Sequence, residues 1–355
     1  MAFVTLNARK LKENYKYLDN LFTANNINWA VVSKLLCGEE IFLTELIKLG
    51  IKQICDSRIS NLEVIKSLAE DIETIYIKPP PNGAIKEIIE FADISVNTEL
   101  RTIKLLSKEA HAQNKVHKII IMIEMGELRE GVMREDFISF YQEVFELPNI
   151  KVVGIGTNFS CLNGVLPNHD KLIQLSLYEQ LVEAKFNQEI PFVSGGSSVV
   201  IPLIEQNLLP VGINHFRVGE SLFLGTDVYN DSPFEGMHNN IFLLYSEIIE
   251  LIEKPKVPMG EMGTNMEGKS PEFEDNYGET SFRAILDMGL LDVEEEHVQL
   301  TDKDLQFAGA SSDMIVIDLE TNPKGYKVGD LIEFRMDYKG ALRIMSSKYI
   351  KKEVI

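Results

Sequence analysis

The chain has 355 residues, of which 45% are hydrophobic and 25% charged, a composition typical of a globular enzyme rather than of a disordered chain. Its 54 acidic residues outnumber its 35 lysines and arginines, so the formal net charge is −19, which disfavours binding to nucleic acid or to an anionic membrane surface. No run reaches the ~18 apolar residues that a membrane span needs, and the amino terminus MAFVTLNARK lacks an export signal.

Residues 2–6 predict a short strand, which is followed by a helix capped by Asn7. A β-rich run, a turn and an amphipathic helix then recur along the chain. The predicted strands are 29–34, 53–55, 74–77, 93–96, 118–124, 152–157, 191–195 and 213–219. Eight strands alternating with helices predict an α/β fold in which parallel βαβ units close into a (β/α)8 barrel. An open doubly wound sheet is the alternative, but no G-x-G-x-x-G follows the first of these strands.

Beyond about residue 230 the helical periodicity weakens, and strand-like runs are separated by glycine, proline and acidic residues. These runs are NNIFLLYSEIIEL, FRAILDM, MIVIDL, DLIEFRM and ALRIMSS. We therefore predict a barrel over residues 1–230 and a carboxyl-terminal β domain over residues 231–355. The acidic run Glu294–Glu296 is interpreted as a solvated loop of that domain.

The three cysteines, Cys37, Cys55 and Cys161, are odd in number and widely separated. A disulfide framework is not expected, and a reducing cytoplasm fits best. The six histidines show neither H-x-x-x-H nor clustered Cys/His spacing, so no metal site is predicted.

Barrel enzymes carry their sites at the carboxyl ends of the strands, and several polar residues fall there. Lys34 closes the apolar run WAVVS, where its amine could form an imine or simply reach solvent. The turn SGGSS (194–198) follows the seventh strand and RVGES (217–221) follows the eighth, and both offer neutral donors to a phosphate. A lysine, two such loops and Arg217 around one barrel mouth suggest pyridoxal phosphate (PLP) as cofactor.

Several segments resemble fold-type III PLP enzymes of the alanine racemase-like group, and within it the ornithine-racemase-like, broad-specificity amino-acid racemases. VVSKLLCG resembles the strand that ends in the PLP lysine, which falls on Lys34. IEMGELREGV resembles the segment whose arginine contacts the substrate carboxylate, and it matches Arg129. GIGTNFSC resembles the segment whose histidine flanks the PLP ring, although Asn158 stands at that position.

The two phosphate loops extend the resemblance. SGGSS matches the phosphate-serine turn, with Ser197 as the best-fitting residue. FRVGESLFLG resembles the eighth-strand motif, which implies that Arg217 lies opposite the pyridine nitrogen and that Gly219 and Glu220 supply backbone donors to the phosphate. The resemblance implies a PLP-dependent racemase that interconverts L- and D-amino acids. It also implies a head-to-tail homodimer in which the partner's β domain completes the site.

Arg217 has a chemical consequence under this interpretation. A cation beside the pyridine nitrogen disfavours its protonation, so the ring is a weaker electron sink. Brief removal and return of the Cα proton is then favoured over reactions such as decarboxylation. Related decarboxylases place a carboxylate there instead, so Arg217 favours a racemase.

The chain also departs from the family pattern. Leu290 stands where alanine racemases have the tyrosine that acts as second acid/base, and Cys37 is the nearest counterpart of a tyrosine after the PLP lysine. Two-base racemisation needs a group on the opposite face of Cα. The candidates are Cys161, Asp287, Asp313 and Tyr277. These departures make alanine an unfavourable substrate, and a basic amino acid such as ornithine is expected to suit the acidic chain better.

Two alternatives come from other classes of protein. A non-catalytic PLP carrier or PLP-homeostasis protein would keep the lysine and the phosphate loops but lack a second base. A P-loop protein is suggested by GTNMEGKS (263–270), which matches G-x-x-x-x-G-K-[ST]. No buried strand precedes that motif and Pro271 follows it, so Lys269 is not interpreted as a nucleotide ligand.

Overall fold

The computed structural model describes residues 1–264 and 278–355. They form two compact units, one of Arg9–Asn239 and one of Met1–Ala8 together with Asn240–Ile355. The first strand, β1 (Phe3–Leu6), therefore belongs to the second unit and not to the predicted 1–230 unit. The physical reason is backbone pairing, since β1 runs antiparallel to residues 242–245 and parallel to residues 351–354.

The unit Arg9–Asn239 contains a closed barrel of eight parallel strands, which confirms the predicted fold class. The barrel strands are β2 (Asn28–Val32), β3 (Gln53–Asp56), β4 (Glu73–Tyr76), β5 (Ile94–Asn97), β6 (His117–Met122), β7 (Ile150–Gly156), β8 (Phe192–Ser194) and β9 (His215–Val218). Two short strands, β10 (Thr226–Asp227) and β11 (Ser232–Pro233), pair as a hairpin after the barrel.

Helices alternate with the barrel strands, as a parallel sheet requires. They are α1 (Ala8–Ala24), α2 (Glu40–Ile47), α3 (Ile59–Leu68), α4 (Ile85–Phe91), α5 (Leu100–Ala112), α6 (Phe137–Phe145), α7 (His169–Phe186), α8 (Ile201–Glu205) and α9 (Glu220–Leu224). Helix α1 buries Leu11, Leu18 and Phe22, which recur at helical spacing. Helix α7 begins at Asn168, whose side chain accepts the backbone N–H of Lys171 at 2.9 Å.

The interior of the barrel is filled by small and branched apolar side chains from alternate strand positions. Ala30, Cys55, Ile75, Ile94 and Ile120 belong to this core. Strand β7 instead contributes Gly154 and Gly156, where an added Cβ would lie 2.9 Å from Ile120 Cγ1 and 2.9 Å from Met122 Sδ respectively. At these two positions the side chains of Ile120 and Met122 fill the space that a side chain of β7 would need.

The second unit is built on an eight-stranded sheet. Besides β1 its strands are β12 (Phe242–Pro255), β13 (Thr280–Leu286), β14 (Val298–Leu300), β15 (Gln306–Ala310), β16 (Ile315–Asp318), β17 (Leu331–Met336) and β18 (Lys351–Val354). The central order is β14-β17-β12-β13-β16-β15, with β1 joining β12 to β18. The exposed acidic run precedes β14, and its last two residues open a short 3-10 helix, Glu295–His297.

One predicted strand of this unit is wrong. ALRIMSS lies in helix α10 (Tyr338–Ser346), which begins after Asp337, whose side chain accepts the backbone N–H of Gly340 at 2.8 Å. Ala341, Ile344 and Met345 are buried at helical spacing, so this apolar run forms a helix rather than a strand. Among the described helices, none is both long and apolar enough to cross a membrane.

Candidate active site

Lys34 lies just beyond the carboxyl end of β2. The strand ends at Val32, two residues earlier than predicted, and Lys34 opens the 3-10 turn Lys34–Leu36. Leu35 and Leu36 are buried while Lys34 is exposed, so its neighbours anchor the backbone and leave the ammonium group accessible. The preceding Ser33 is buried and donates its hydroxyl to Asp56 Oδ2 at 2.9 Å, which ties the ends of β2 and β3 together.

The loops after β8 and β9 are joined by a hydrogen bond. The backbone N–H of Ser221 donates to Ser198 Oγ at 3.2 Å, and the backbone N–H of Arg217 donates to the carbonyl of Gly196 at 3.0 Å. Ser197 is half-buried and immediately precedes the 3-10 turn Ser198–Val200. The two predicted phosphate loops therefore lie against each other.

Both loops need glycine. Gly196 adopts φ +134°, in the region that favours glycine, and an added Cβ there would lie 2.9 Å from Val200 Cγ2. An added Cβ at Gly219 would lie 2.8 Å from the carbonyl oxygen of Val32. Gly219 thus lets the loop after β9 approach the end of β2, two residues before Lys34, and Glu220 follows as the first residue of α9.

Arg217 projects from β9 into the barrel and is 5% exposed. Its Nη1 donates to Ser194 Oγ, and its Nη2 donates to the carbonyl of Thr157 at 2.7 Å. Burial lowers the pKa of the Arg217 guanidinium below its ordinary value, and the nearby charge of Arg129 acts in the same direction. The hydrogen-bond acceptors of this guanidinium are therefore a hydroxyl and a carbonyl oxygen, and not a carboxylate.

Arg129 lies in the connection between β6 and α6, where its Nε and Nη2 donate to the two carboxylate oxygens of Glu130. Asn158, just after β7, places its Oδ1 3.2 Å from Arg129 Nη2 in the amide orientation that satisfies both of its atoms. The hydrogen bond to Glu130 raises the pKa of Arg129, and the Cys161 side chain acts in the same direction. The structure therefore brings Arg129, Asn158 and Cys161 together, and it adds Glu130.

Glu127 is a buried carboxylate whose partners could not be read from the sequence. It is 3% exposed, and its carboxylate accepts the backbone N–H groups of Cys161 at 2.7 Å, Asn163 at 2.9 Å and Val165 at 3.0 Å. Its own carbonyl accepts from the side chain of Asn163 at 2.7 Å. A single carboxylate therefore joins the loop that carries Arg129 to the loop that carries Cys161.

The other candidates for a second acid/base belong to the second unit. Asp287 is exposed and pairs with the amino group of Met1 at 3.4 Å. Asp313 is exposed, and Leu290 donates its backbone N–H to the carbonyl of Ser311 at 3.0 Å. Tyr277 lies outside the described residues, as does most of the P-loop-like motif with Lys269.

Comparison with known proteins gives consistent relatives. Residues 6–227 match the family described as alanine racemase, N-terminal domain. The chain is 38% identical over 353 residues to ornithine racemase of Acetoanaerobium sticklandii, covering 99% of each chain. It is 31% identical over 347 residues to lysine racemase of Thermotoga maritima, covering 98% of this chain and 96% of the other. The crystal structure of alanine racemase from Bartonella henselae with covalently bound PLP matches with a TM-score of 0.75 and 16% identity, over 100% of this chain and 99% of that one.

The barrel, the β unit and these relatives define the class: the chain belongs to the alanine racemase family. It is a PLP-dependent amino-acid racemase, that is, an isomerase of amino acids.

The residues at the barrel mouth fit this cofactor. Lys34 offers an exposed primary amine, and the paired loops after β8 and β9 offer hydroxyl and backbone donors. Gly219 is the clearest structural sign, because a side chain there would run into the backbone of β2. Arg217 and Arg129 lie close enough for their charges to interact, and the carboxylate of Glu130 acts on both.

Proposed function

We propose that this racemase acts on a basic amino acid, with ornithine as the preferred substrate and lysine as the next. The observation that carries the proposal is the 38% identity to an ornithine racemase over 99% of both chains, supported by the 31% identity to a lysine racemase. The net charge of −19 also favours the approach of a substrate that carries an extra positive charge.

Within this proposal each residue at the mouth has a role. Lys34 holds the cofactor through its amine and moves the Cα proton on one face of the substrate. Ser197 and the backbone N–H groups of Gly219 and Glu220 hold the phosphate, consistent with the contact between their loops. The cofactor, when bound, withdraws electrons from Cα and so acidifies the Cα proton.

The two arginines have different partners in this proposal, since Arg217 is assigned to the cofactor and Arg129 to the substrate. Arg217, held by Ser194 and the carbonyl of Thr157, would face the pyridine nitrogen as a fixed cation and would disfavour its protonation. Arg129 orients the substrate carboxylate, and its bond to Glu130 keeps the guanidinium charged and aimed. Asn158 contacts Arg129 and lies at the position that flanks the ring in the family.

A second acid/base must reach the opposite face of Cα. Among the candidates in the described residues, Cys161 belongs to the same unit as Lys34 and lies beside Arg129, so it is the first to test. Replacing it with alanine should leave Cα exchange from the enantiomer that faces Lys34 and remove exchange from the other. Equal exchange from both enantiomers would assign the role to another residue, with Asp313→Asn and Tyr277→Phe as the next variants.

We also infer a head-to-tail homodimer and a cytoplasmic location. The family resemblance supports the dimer, in which the partner's β domain would complete the site. Cys37, Cys55 and Cys161 are all free thiols, which supports a reducing compartment. Dimer dissociation on dilution should abolish activity, and fully active protomers would contradict the shared site.

The substrate is tested by Cα exchange. The PLP-loaded protein is incubated in D2O with L- and D-ornithine, lysine, arginine and alanine, and the loss of the Cα–H signal is followed by NMR. Ornithine should exchange fastest, and chiral chromatography should show both enantiomers. Alanine exchanging faster than ornithine would overturn the substrate proposal, and no exchange from any amino acid would favour a PLP carrier.

The cofactor role of Lys34 is tested by absorbance. Lys34→Ala should lose the visible band of the bound cofactor and all exchange activity, while Lys108→Ala, at an exposed lysine of α5, should keep both. A Lys34→Ala protein with an unchanged band would place the attachment elsewhere.

A further inference from the structure

A chain of hydrogen bonds runs from the partly exposed pair of Lys118 and Glu73 to the buried Arg217. Lys118 Nζ donates to Glu73 Oε1 at 2.7 Å, and Gln53 Nε2 donates to Glu73 Oε2 at 2.6 Å. Gln53 Oε1 lies 3.2 Å from His215 Nε2, and His215 Nδ1 lies 2.9 Å from Ser194 Oγ. Ser194 Oγ then contacts Arg217 Nη1. Five barrel strands contribute residues to this chain, namely β3, β4, β6, β8 and β9.

The direction of every bond in the chain is fixed by its end at Glu73. The side-chain amide of Gln53 must turn its N–H to that carboxylate, so its oxygen accepts from His215 Nε2. His215 therefore carries its proton on Nε2, and its bare Nδ1 accepts from the Ser194 hydroxyl. The lone pairs of Ser194 are left for Arg217. Burial, and then the charge of Arg217, lowers the pKa of His215 to about 3, so this histidine stays neutral.

The chain has an electrostatic consequence. Glu73 is neutralised by Lys118 at the far end, and neutral groups separate it from the guanidinium. The charge of Arg217 is therefore not cancelled by a direct ion pair within the barrel. Its side chain is nevertheless held at two points, Ser194 Oγ and the carbonyl of Thr157.

We propose that Ser194 and His215 are positioning residues for Arg217, with Gln53 setting the tautomer of His215. Together they would hold a guanidinium that makes no direct ion pair in the orientation that faces the pyridine nitrogen of the cofactor. This inference rests on the role that the proposed function gives to Arg217. Neither Ser194 nor His215 touches the reacting atoms in this scheme.

The barrel contains a matched pair for the test. Ser95 Oγ and His117 Nε2 lie 2.8 Å apart, and both residues are buried on β5 and β6. Asn97, and not an arginine, donates to Ser95. Ser95→Ala therefore removes the same kind of buried hydrogen bond without touching the chain to Arg217.

The experiment compares Ser194→Ala, Ser194→Thr and Ser95→Ala, each loaded with PLP that is ¹⁵N-labelled at the pyridine nitrogen. The readouts are the ¹⁵N chemical shift of that nitrogen and the dissociation constant of PLP from the apoprotein. Ser194→Ala should displace the resonance and raise the dissociation constant about tenfold, since a hydrogen bond to a charged group is lost. Ser194→Thr should restore both values, and Ser95→Ala should leave both unchanged although it lowers the melting temperature.

A second variant and a reference variant complete the design. Gln53 is only half-buried, so Gln53→Ala should fold readily, and it should move the resonance in the same direction by releasing the His215 tautomer. An unchanged resonance in both Ser194→Ala and Gln53→Ala would overturn the inference. Arg217→Met separates the two proposals: if it also leaves the resonance unchanged, the placement of Arg217 at the ring fails, and if it alone moves the resonance, only the positioning role fails.

Discussion

Glu127 Oε1 accepts the backbone N–H of Cys161, 34 positions further along the chain, at 2.7 Å. The two residues belong to the loops that follow adjacent barrel strands, β6 and β7. Arg129 lies two residues from one partner, and Asn158 lies three residues from the other. The bond therefore fixes the separation between the proposed carboxylate-binding arginine and the loop opposite it.

Glu127→Gln should loosen this connection. The amide would turn an N–H toward backbone donors that now face a carboxylate, and a buried mismatch of this kind costs about 1–3 kcal/mol. We expect a lower melting temperature and a kcat/KM reduced about tenfold, measured by thermal denaturation and racemisation assays. Glu135→Gln, at an exposed acid of the same connection, is the matched control and should change neither.

The Glu127 carboxylate should also make the melting temperature depend on pH. Burial by itself raises the pKa of Glu127, but the backbone N–H groups of Leu162, Asn163, Val165 and Cys161 outweigh it and hold the pKa below its ordinary 4.5. A lowered folded-state pKa stabilises the fold above the unfolded pKa, and this stabilisation is lost as the pH falls through the folded value. The difference in melting temperature between wild type and Glu127→Gln should be full at neutral pH and shrink below pH 4.5. A difference that stays constant down to the acid transition would contradict this origin.

Gly219→Ala should weaken cofactor binding. The new methyl group would lie 2.8 Å from the Val32 carbonyl, so the loop after β9 must move away from β2. Overpacking of this kind costs about 1–3 kcal/mol, and we expect the PLP dissociation constant to rise about tenfold or more in a fluorescence titration. Gly83→Ala adds a methyl group where nothing lies within 4 Å and serves as control. Equal PLP affinity in the two variants would show that the close approach is not needed.

Arg129→Lys should raise KM more than it lowers kcat. Lysine keeps the charge but cannot reproduce the planar fork that meets Glu130 and could meet a substrate carboxylate. An increase in KM of about tenfold is expected from steady-state kinetics with ornithine. Arg134→Lys, at an exposed arginine of the same connection, should leave KM unchanged. A large fall in kcat at constant KM would instead place Arg129 in the proton-transfer step.

Two of the three cysteines should react with iodoacetamide in the folded protein. Cys37 and Cys161 are exposed, whereas Cys55 lies inside the barrel. Burial raises the pKa of the Cys55 thiol to about 12, although the charge of Arg217 opposes the shift, so little thiolate forms near neutral pH. Intact mass should show two additions, and peptide mapping should find Cys55 unmodified until the protein is denatured. Modification of Cys55 in the native state would mean that the barrel opens.

The sequence predicts the barrel well because its signal is local. Each βαβ unit repeats the same alternation, and positions such as Lys34 and Arg217 follow from counting strands. The loops at those strand ends can also be assigned, since Gly196 and Gly219 carry the backbone requirements of their turns in their own residue type.

What the sequence could not predict depends on partners far along the chain. The sequence around Glu127 does not reveal that its carboxylate accepts backbone N–H groups of residues 161–165. The sequence around Ser194 likewise does not reveal its hydrogen bond to His215. Gly154 and Gly156 are a usable sequence signal, because Ile120 and Met122 of the neighbouring strand β6 occupy the space beside them. Helix α10 was mistaken for a strand because Ile344 and Met345 suit either period, and the cap at Asp337 decides the outcome.

Strand β1 pairs with β12 and β18, so the barrel is an insertion between the first strand of a sheet and the rest of that sheet. During translation β1 is made more than two hundred residues before β12, and its other partner, β18, is made later still. The barrel can close in the meantime from contacts between successive units, whereas the sheet is completed by the most distant contact in the chain. Nascent chains halted before β18 should therefore carry a folded barrel and a β1 strand whose edge toward β18 is still unpaired.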